Sequence, residues 1–170
     1  MTFKSGVAGL NGWIEQKCPE FANVPREVKA SAFYFTILWS VFDLRHLHRS
    51  GNRREVVAFC ASLSEDLDFE PFQPFWEYFQ GRFANVTGVS PHFQHLVGDD
   101  HQTADLLRQT LVSQQGTPRD KLAALVFITF RLRCNLVHGD KYRTGLNDQY
   151  DNLMQGAKLV TLILDLNAAA

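Results

Sequence analysis

Residues 117–138 read TPRDKLAALVFITFRLRCNLVH, and this stretch decides the predicted fold. Its opening Thr-Pro-x-Asp is typical of a helix cap, a first helical residue and a first-turn acid. Apolar spacing places the following residues on one helical stripe: Leu122, Leu125, Thr129, Leu132 and Leu136. Gly139 comes next, where a left-handed residue commonly ends a helix. The sequence therefore predicts a helix from Pro118 to about His138.

Helical periodicity also describes most of the remaining chain. Further helices are predicted over the following ranges: 26–49, 52 or 53 to about 66, 72–84, 101–115, and about 146–166. Residues 85–100 contain Gly and Pro without any period, so we predict a long loop there. The prediction is an all-α, single-domain helical bundle of five or six helices over residues 1–170.

The predicted first helix is apolar around much of its circumference. One stripe comprises Phe35, Leu38, Trp39 and Phe42. A second group widens this stripe beyond what a half-exposed helix needs: Phe33, Ile37 and Leu44. Burial on two sides is implied, either in the centre of a bundle or at a dimer interface.

Aromatic residues recur at helical spacing after Pro71 and Pro74. They are Phe72, Phe75, Trp76, Phe79 and Phe83. Such rings could stack on nucleic-acid bases, but surface platforms seldom repeat with a helical period. We therefore favour core packing for this segment.

Composition and charge argue against several classes of protein. The net charge is -1, so the chain as a whole does not attract nucleic acid or an anionic membrane, and any RNA contact must be a local patch. Three cysteines lie far apart without a C-x-x-C pair, which argues against a disulfide framework or a thiolate metal site. No apolar run is long enough to span a bilayer. We expect a cytoplasmic protein that does not bind membranes.

Residues 131–139, RLRCNLVHG, resemble the signature of the HEPN family, in which Arg and, after four to six residues, His lie on a late helix of a helical bundle. Arg133 and His138 have this spacing here, and Cys134 stands where family members often carry Asn, Asp or His. The likeness extends loosely to LWSVFD at residues 38–43. The resemblance implies an endoribonuclease of a toxin or antiviral-defence type that needs no metal, with a composite site in a homodimer. RNA and an antitoxin protein are the partners that it implies.

Arg and His suit such chemistry because imidazole moves protons near neutral pH and guanidinium holds the developing phosphorane charge. No metal or cofactor is required. His138 is the candidate acid at the helix end, and Asn135 could orient it or hold substrate. Arg131 shares a face with these two, whereas Arg133 is rotated by about 140° from His138. We favour Arg133 as the catalytic arginine, with Arg131 as the alternative.

Other polar groups give weaker signals. The basic cluster Arg45, Arg49, Arg53 and Arg54 could contact RNA phosphates, although a solvated helix end explains it as well. Asp43 is a candidate orienting acid that could pair with an active-site Arg. The residues His92, His95, Asp99, Asp100 and His101 match no metal-ligand spacing, so no metal site is predicted.

Two alternatives to catalysis stay open at this point. The same fold could serve as a non-catalytic HEPN-like module that binds RNA or another protein. In an unrelated helical adaptor, the Arg and His residues would do no more than neutralise the carbonyls of the last helical turn, and the wide aromatic stripe would be a partner surface.

Overall fold

The computed structural model describes residues 6–113, 116–138 and 145–166. These residues form nine α-helices and almost no strand, so the predicted all-α bundle is confirmed. In chain order the helices are α1 (Val7–Lys17), α2 (Pro19–Ala22), α3 (Arg26–His46), α4 (Arg53–Ala61), α5 (Gln73–Phe83), α6 (Pro91–Val97), α7 (His101–Ser113), α8 (Pro118–Val137) and α9 (Tyr150–Leu166). Short 3-10 turns precede α5 and α9, at Glu70–Phe72 and Asn147–Gln149.

Helix α8 lies at the centre of the bundle. Its predicted stripe from Leu122 to Leu136 is buried throughout, and every residue from 124 to 130 is buried as well. A helix that is apolar on all sides needs neighbours around it. The surrounding helices are α3, α4, α5, α6, α7 and α9. The candidate catalytic residues therefore stand on the most enclosed helix, at the end where it reaches the surface.

Helix α3 packs along α9 over much of its length. The contact is close at Gly156, where an added Cβ would lie 2.9 Å from Cε2 of Phe35. Because no side chain fits in that space, glycine lets the aromatic ring rest directly on the α9 backbone. Trp39 and Phe42 continue the buried side of α3, as the sequence predicts.

The other side of α3 is uncovered in the described part of the protein. Phe33 is 62% exposed, Ile37 48% and Leu44 54%. These side chains are therefore not buried in the centre of the bundle. Of the two explanations that the sequence offers, an interface with a partner stays open.

The predicted loop over residues 85–100 is wrong. The segment contains a two-stranded antiparallel hairpin, in which Ala84 pairs with Val89, followed by helix α6. The helix buries three apolar side chains, Phe93, Leu96 and Val97, in the common core. Its 7 residues, about two turns, give too little periodicity to be recognised, and burial in tertiary contacts stabilises such a short helix more than its local sequence does.

The predicted helix count and several helix ends need correction. There are nine α-helices among the described residues rather than five or six, because the short helices α1, α2 and α6 carry weak patterns. Helix α3 ends at His46, not Arg49, since His48 and Arg49 adopt φ angles of 50° and 64°. Helix α4 ends at Ala61 instead of near Asp66.

The aromatic segment is core, as predicted. Helix α5 and the turn before it bury Phe72, Trp76, Phe79 and Phe83, while Phe75 is half-buried. Phe79 and Phe83 stack with ring centroids 6.0 Å apart. Among the helices of the described residues, none has the length and apolar character that crossing a membrane demands.

Candidate active site at the end of helix α8

The start of α8 is fixed by the cap that its sequence predicts. The Asp120 amide donates to the Thr117 hydroxyl oxygen at 3.2 Å, and the Thr117 amide donates to the Asp120 carboxylate at 2.9 Å. This reciprocal pair satisfies two amides that the helix leaves unpaired. At the other end, the His138 amide donates to the Cys134 carbonyl at 2.9 Å. The predicted C-terminal Gly139 lies outside the described residues.

Arg131 and Asn135 turn towards the last carbonyls of α6. The Asn135 amide group donates to the Leu96 carbonyl at 2.9 Å and the His95 carbonyl at 3.2 Å. Nη2 of Arg131 donates to the Val97 carbonyl at 3.0 Å, and its Nε donates to the Leu96 carbonyl at 3.3 Å. These carbonyls have no partner within α6, so the two side chains of α8 satisfy them.

The same arginine also reaches the start of α7. Nη1 of Arg131 lies 3.5 Å from the Asp100 carboxylate. Asp100 caps α7 by accepting from the Thr103 amide at 3.0 Å and the Thr103 hydroxyl at 2.8 Å. Arg53 donates from Nε to the Thr103 hydroxyl oxygen at 3.4 Å. The α6–α7 corner is therefore held from α8 through a continuous chain of polar contacts.

These contacts shift the pKa of the Asp100 carboxyl group. Burial acts to raise its pKa, but the two hydrogen bonds from Thr103 and the charges of Arg131 and Arg53 together hold the pKa below its ordinary value. Gly98, between α6 and α7, has a φ of 55°, in the left-handed region that glycine adopts without strain. A Cβ there would lie 3.7 Å from Nη2 of Arg131, so the arginine sits against the turn.

Arg133 and His138 have a different environment. Arg133 is half-buried and His138 is exposed. Between them, burial raises the pKa of the Cys134 thiol, while the charge of Arg131 and the hydrogen bond and charge of Arg133 act in the opposite direction. His138 follows Cys134 by four residues, one helical turn further along the same face. Arg131, Arg133 and His138 thus all lie in the last turns of α8.

An exposed apolar surface borders this position. Val137, next to His138, is 54% exposed, and it lines a shallow depression of about 350 Å³ together with Phe33 of α3. Phe33 packs edge-on against Tyr34, with ring centroids 5.6 Å apart. The uncovered side of α3 therefore continues to the residue that precedes His138.

The predicted basic cluster is divided by the structure. Arg45, Arg49 and Arg54 are exposed. Arg53 is half-buried, held by Thr103 and placed with its guanidinium 5.9 Å from the ring centroid of Phe127. Three exposed cations thus stand near the α3–α4 turn, while the fourth belongs to the corner network.

Asp43 serves the turn after α3. Its carboxylate accepts from the Gly51 amide at 2.8 Å, and its carbonyl accepts from the Leu47 amide at 3.0 Å. These bonds give the side chain a structural role at the turn. Its predicted pairing with an active-site arginine stays a prediction.

The histidines and aspartates at residues 92–101 are not arranged as ligands of a metal ion. No group of His, Cys, Asp and Glu suited to a metal ion occurs among the described residues. Sequence reasoning missed the role of Asp100 as a cap that pairs with Arg131. The pattern Asp100-x-x-Thr103 is a signal that could have identified the cap, whereas its pairing with α8 depends on the fold.

Comparisons of the chain with protein-family models, with curated proteins and with solved structures give no significant match.

Proposed function

We propose that this protein is a metal-independent endoribonuclease, of a toxin or antiviral-defence type, whose active site combines Arg133 and His138 from two copies of the chain. One observation carries the proposal. Arg133 is half-buried and His138 is exposed at the end of α8, whereas the side chains of Arg131 and Asn135 are bound to the carbonyls of α6. Positive charge beside a group that transfers protons is what cleavage of a phosphodiester requires.

The four candidate residues divide into two pairs with different roles. The side chains of Arg131 and Asn135 donate hydrogen bonds to the carbonyls of α6, so they are positioning residues. Arg133 and His138 are the pair with capacity left for substrate. This division favours Arg133 over Arg131 as the arginine that contacts the scissile phosphate.

The proposed reaction needs no activated water. The ribose 2′-oxygen attacks the adjacent phosphorus as its proton passes to a base, and the bond from phosphorus to the 5′-oxygen breaks. His138 in its imidazolium form gives a proton to the leaving 5′-oxygen, and the helix C-terminus supports that charge. Arg133 stabilises the negative charge that builds on the phosphorane oxygens. The products are a 2′,3′-cyclic phosphate and a 5′-hydroxyl end.

The second copy of the chain supplies what one copy lacks. A single His138 cannot give up and take on a proton at the same moment, so a second imidazole is needed to accept the proton from the 2′-hydroxyl. The exposed side chains of Phe33, Ile37 and Val137 form an apolar surface beside His138. Burying this surface against its own copy would bring two Arg133 and His138 pairs to one two-fold axis.

The decisive experiment incubates the purified protein with end-labelled single-stranded RNA in excess chelator. We expect cleavage that persists in chelator and leaves cyclic phosphate ends, and no cleavage when every ribose is replaced by 2′-deoxyribose. Binding of RNA without any cleavage would contradict the catalytic proposal and identify a non-catalytic RNA-binding module. A rate that the chelator abolishes would contradict it as well.

A further inference from the structure

A polar cavity lies apart from the depression beside Val137, and the two share no lining residue. It has a volume of about 190 Å³ and is formed by the end of α5, helix α6 and the start of α9. This is far more than the roughly 10–15 Å³ that one water molecule needs. None of the four candidate catalytic residues lines it. The cavity is thus a separate feature, although Leu96 belongs both to its wall and to the α6–α7 corner.

Arg82 is the cation of this cavity. Its Nε is buried and has no hydrogen-bond partner among the described residues. A buried donor without an acceptor is costly, so the Arg82 guanidinium has hydrogen-bonding capacity that the described residues do not satisfy. The residue is held in place, because its carbonyl accepts from the Ser90 hydroxyl at 2.6 Å. Its charge also reaches Tyr78, where burial raises the phenol pKa and Arg82 opposes the increase.

The remaining polar wall is rich in donors. Tyr78, which does not line the cavity, donates from its hydroxyl to Oδ1 of Asn152 at 2.8 Å, and Nδ2 of Asn152 donates to Oε1 of Gln149 at 3.0 Å. Each bond directs a side-chain oxygen of Asn152 or Gln149 to a donor, and the Gln149 amide group itself carries N–H donors. His92 and His95, one turn apart on α6, add two imidazoles. The cavity therefore offers an acceptor-rich ligand several hydrogen bonds.

We propose that this cavity binds the phosphate group of a small phosphorylated molecule. Phosphate supplies the anionic oxygens that Arg82, Gln149 and the imidazoles can satisfy together. The apolar part of the wall, Phe83, Leu96 and Leu132, offers contact to the organic remainder of a phosphomonoester.

Asp148 is the one described acid in the wall of the cavity, and it is exposed. Its charge opposes an anion, but solvent and salt screen an exposed carboxylate more than a buried one. Asp148 is therefore expected to weaken phosphate binding without preventing it.

Calorimetric titration of the full chain with inorganic phosphate tests the site directly and does not depend on RNA cleavage. We expect saturable binding at millimolar phosphate, weakened about tenfold or more by Arg82→Gln because a charged hydrogen-bond donor is lost. Arg108→Gln makes the same change on α7, away from the cavity, and is expected to alter affinity by less than about twofold. A titration with adenosine 5′-monophosphate, and one with adenosine, distinguish the two sources of phosphate. Equal affinities for inorganic phosphate and the nucleotide indicate the free ion, and tighter binding of the nucleotide indicates a phosphomonoester.

Asp148→Asn provides a second variant that keeps the test valid if Arg82→Gln does not fold. Removing the exposed acid is expected to tighten phosphate binding by about twofold to fivefold. Lack of saturable binding by wild type would overturn the proposal. It would also be overturned by equal losses in Arg82→Gln and Arg108→Gln, by unchanged or weaker binding in Asp148→Asn, or by adenosine that binds as tightly as its monophosphate.

Discussion

Two pairs of residues in the last turns of α8 are chemically similar and have different surroundings. Arg131 and Asn135 face α6 and bind buried carbonyls and a carboxylate. Arg133 is half-buried, and His138 at the end of the helix is exposed beside an uncovered apolar surface. A side chain whose hydrogen bonds are committed stabilises the fold, whereas one with capacity left can act on a ligand. Variants of the two pairs should therefore fail in different ways.

The largest expected effect is on cleavage of RNA. His138→Ala should lower the rate by about 10²-fold to 10⁴-fold, because proton transfer to the leaving oxygen is lost. Arg133→Ala should lower it to a similar extent through lost phosphorane stabilisation. Single-turnover cleavage in chelator measures both variants, and the temperature of unfolding should stay near that of wild type. His101→Ala, another exposed histidine, is the matched control and should cleave normally. Wild-type rates in His138→Ala would remove His138 from the proposed site.

Disruption of the apolar surface should come next in size. Ile37→Glu places a charge in the centre of the proposed interface and should raise the dimer dissociation constant by about 30-fold or more. Sedimentation at several concentrations measures the change, and cleavage should fall in proportion to the dimer. Val57→Glu, at a comparably exposed position on α4, is the control and should leave association unchanged. A wild-type chain that is monomeric at micromolar concentration while it cleaves RNA would contradict the composite site.

Asn135→Ala tests the pair that faces α6. It leaves the His95 carbonyl without this donor and the Leu96 carbonyl with only Arg131, and it should lower the free energy of unfolding by about 1–3 kcal/mol, measured in urea. Asn147→Ala, at an exposed position before α9, should change stability by less than about 0.5 kcal/mol. Cleavage under conditions where the Asn135 variant is folded should stay within about tenfold of wild type. A loss as great as that of His138→Ala, without loss of stability, would mean that Asn135 contacts substrate.

The smallest expected effect is on the free energy of unfolding at acidic pH. The folded-state pKa of Asp100 is lowered, so its contribution to stability is present above the ordinary value of 3.8 and is lost as pH falls through the folded-state pKa. Asp100→Asn removes this dependence, and its free energy of unfolding should decline less steeply than that of wild type below about pH 4. Asp105→Asn, an exposed acid on α7, is the control. Identical acid profiles for Asp100→Asn and wild type would show that Asp100 does not stabilise the corner.

The capping of α8 could be predicted from sequence because it is local. Thr117 and Asp120 are three residues apart, and they make the reciprocal bonds that this spacing indicates. The buried stripe of α8 could be predicted for the same reason, since helical period alone determines which residues share a face. Helix α6 was missed because the burial of Phe93 and Leu96 depends on helices that are distant in sequence.

The spacing of residues along the sequence could not predict the hydrogen-bond partners of the candidate site. Arg131, Asn135 and His138 do share a helical face by period, but the carbonyls bound by the first two belong to a helix that begins forty residues earlier. Asp43 shows the same limit, because its bond to Gly51 depends on how the chain turns after α3. Spacing identifies which residues can act together, and the fold decides which of them are already engaged.

The contact between Phe35 and Gly156 also bears on the order in which the chain acquires its structure. The two residues are far apart in sequence, so bringing α3 and α9 together carries the entropic cost of closing a long loop. During synthesis, α3 emerges well before α9, and until then its buried stripe can be covered only in part, by the contacts of Trp39 with Phe130 of α8 and of Phe42 with Phe59 of α4. Folding kinetics should accordingly be slower than those of a bundle of the same size built from neighbouring helices.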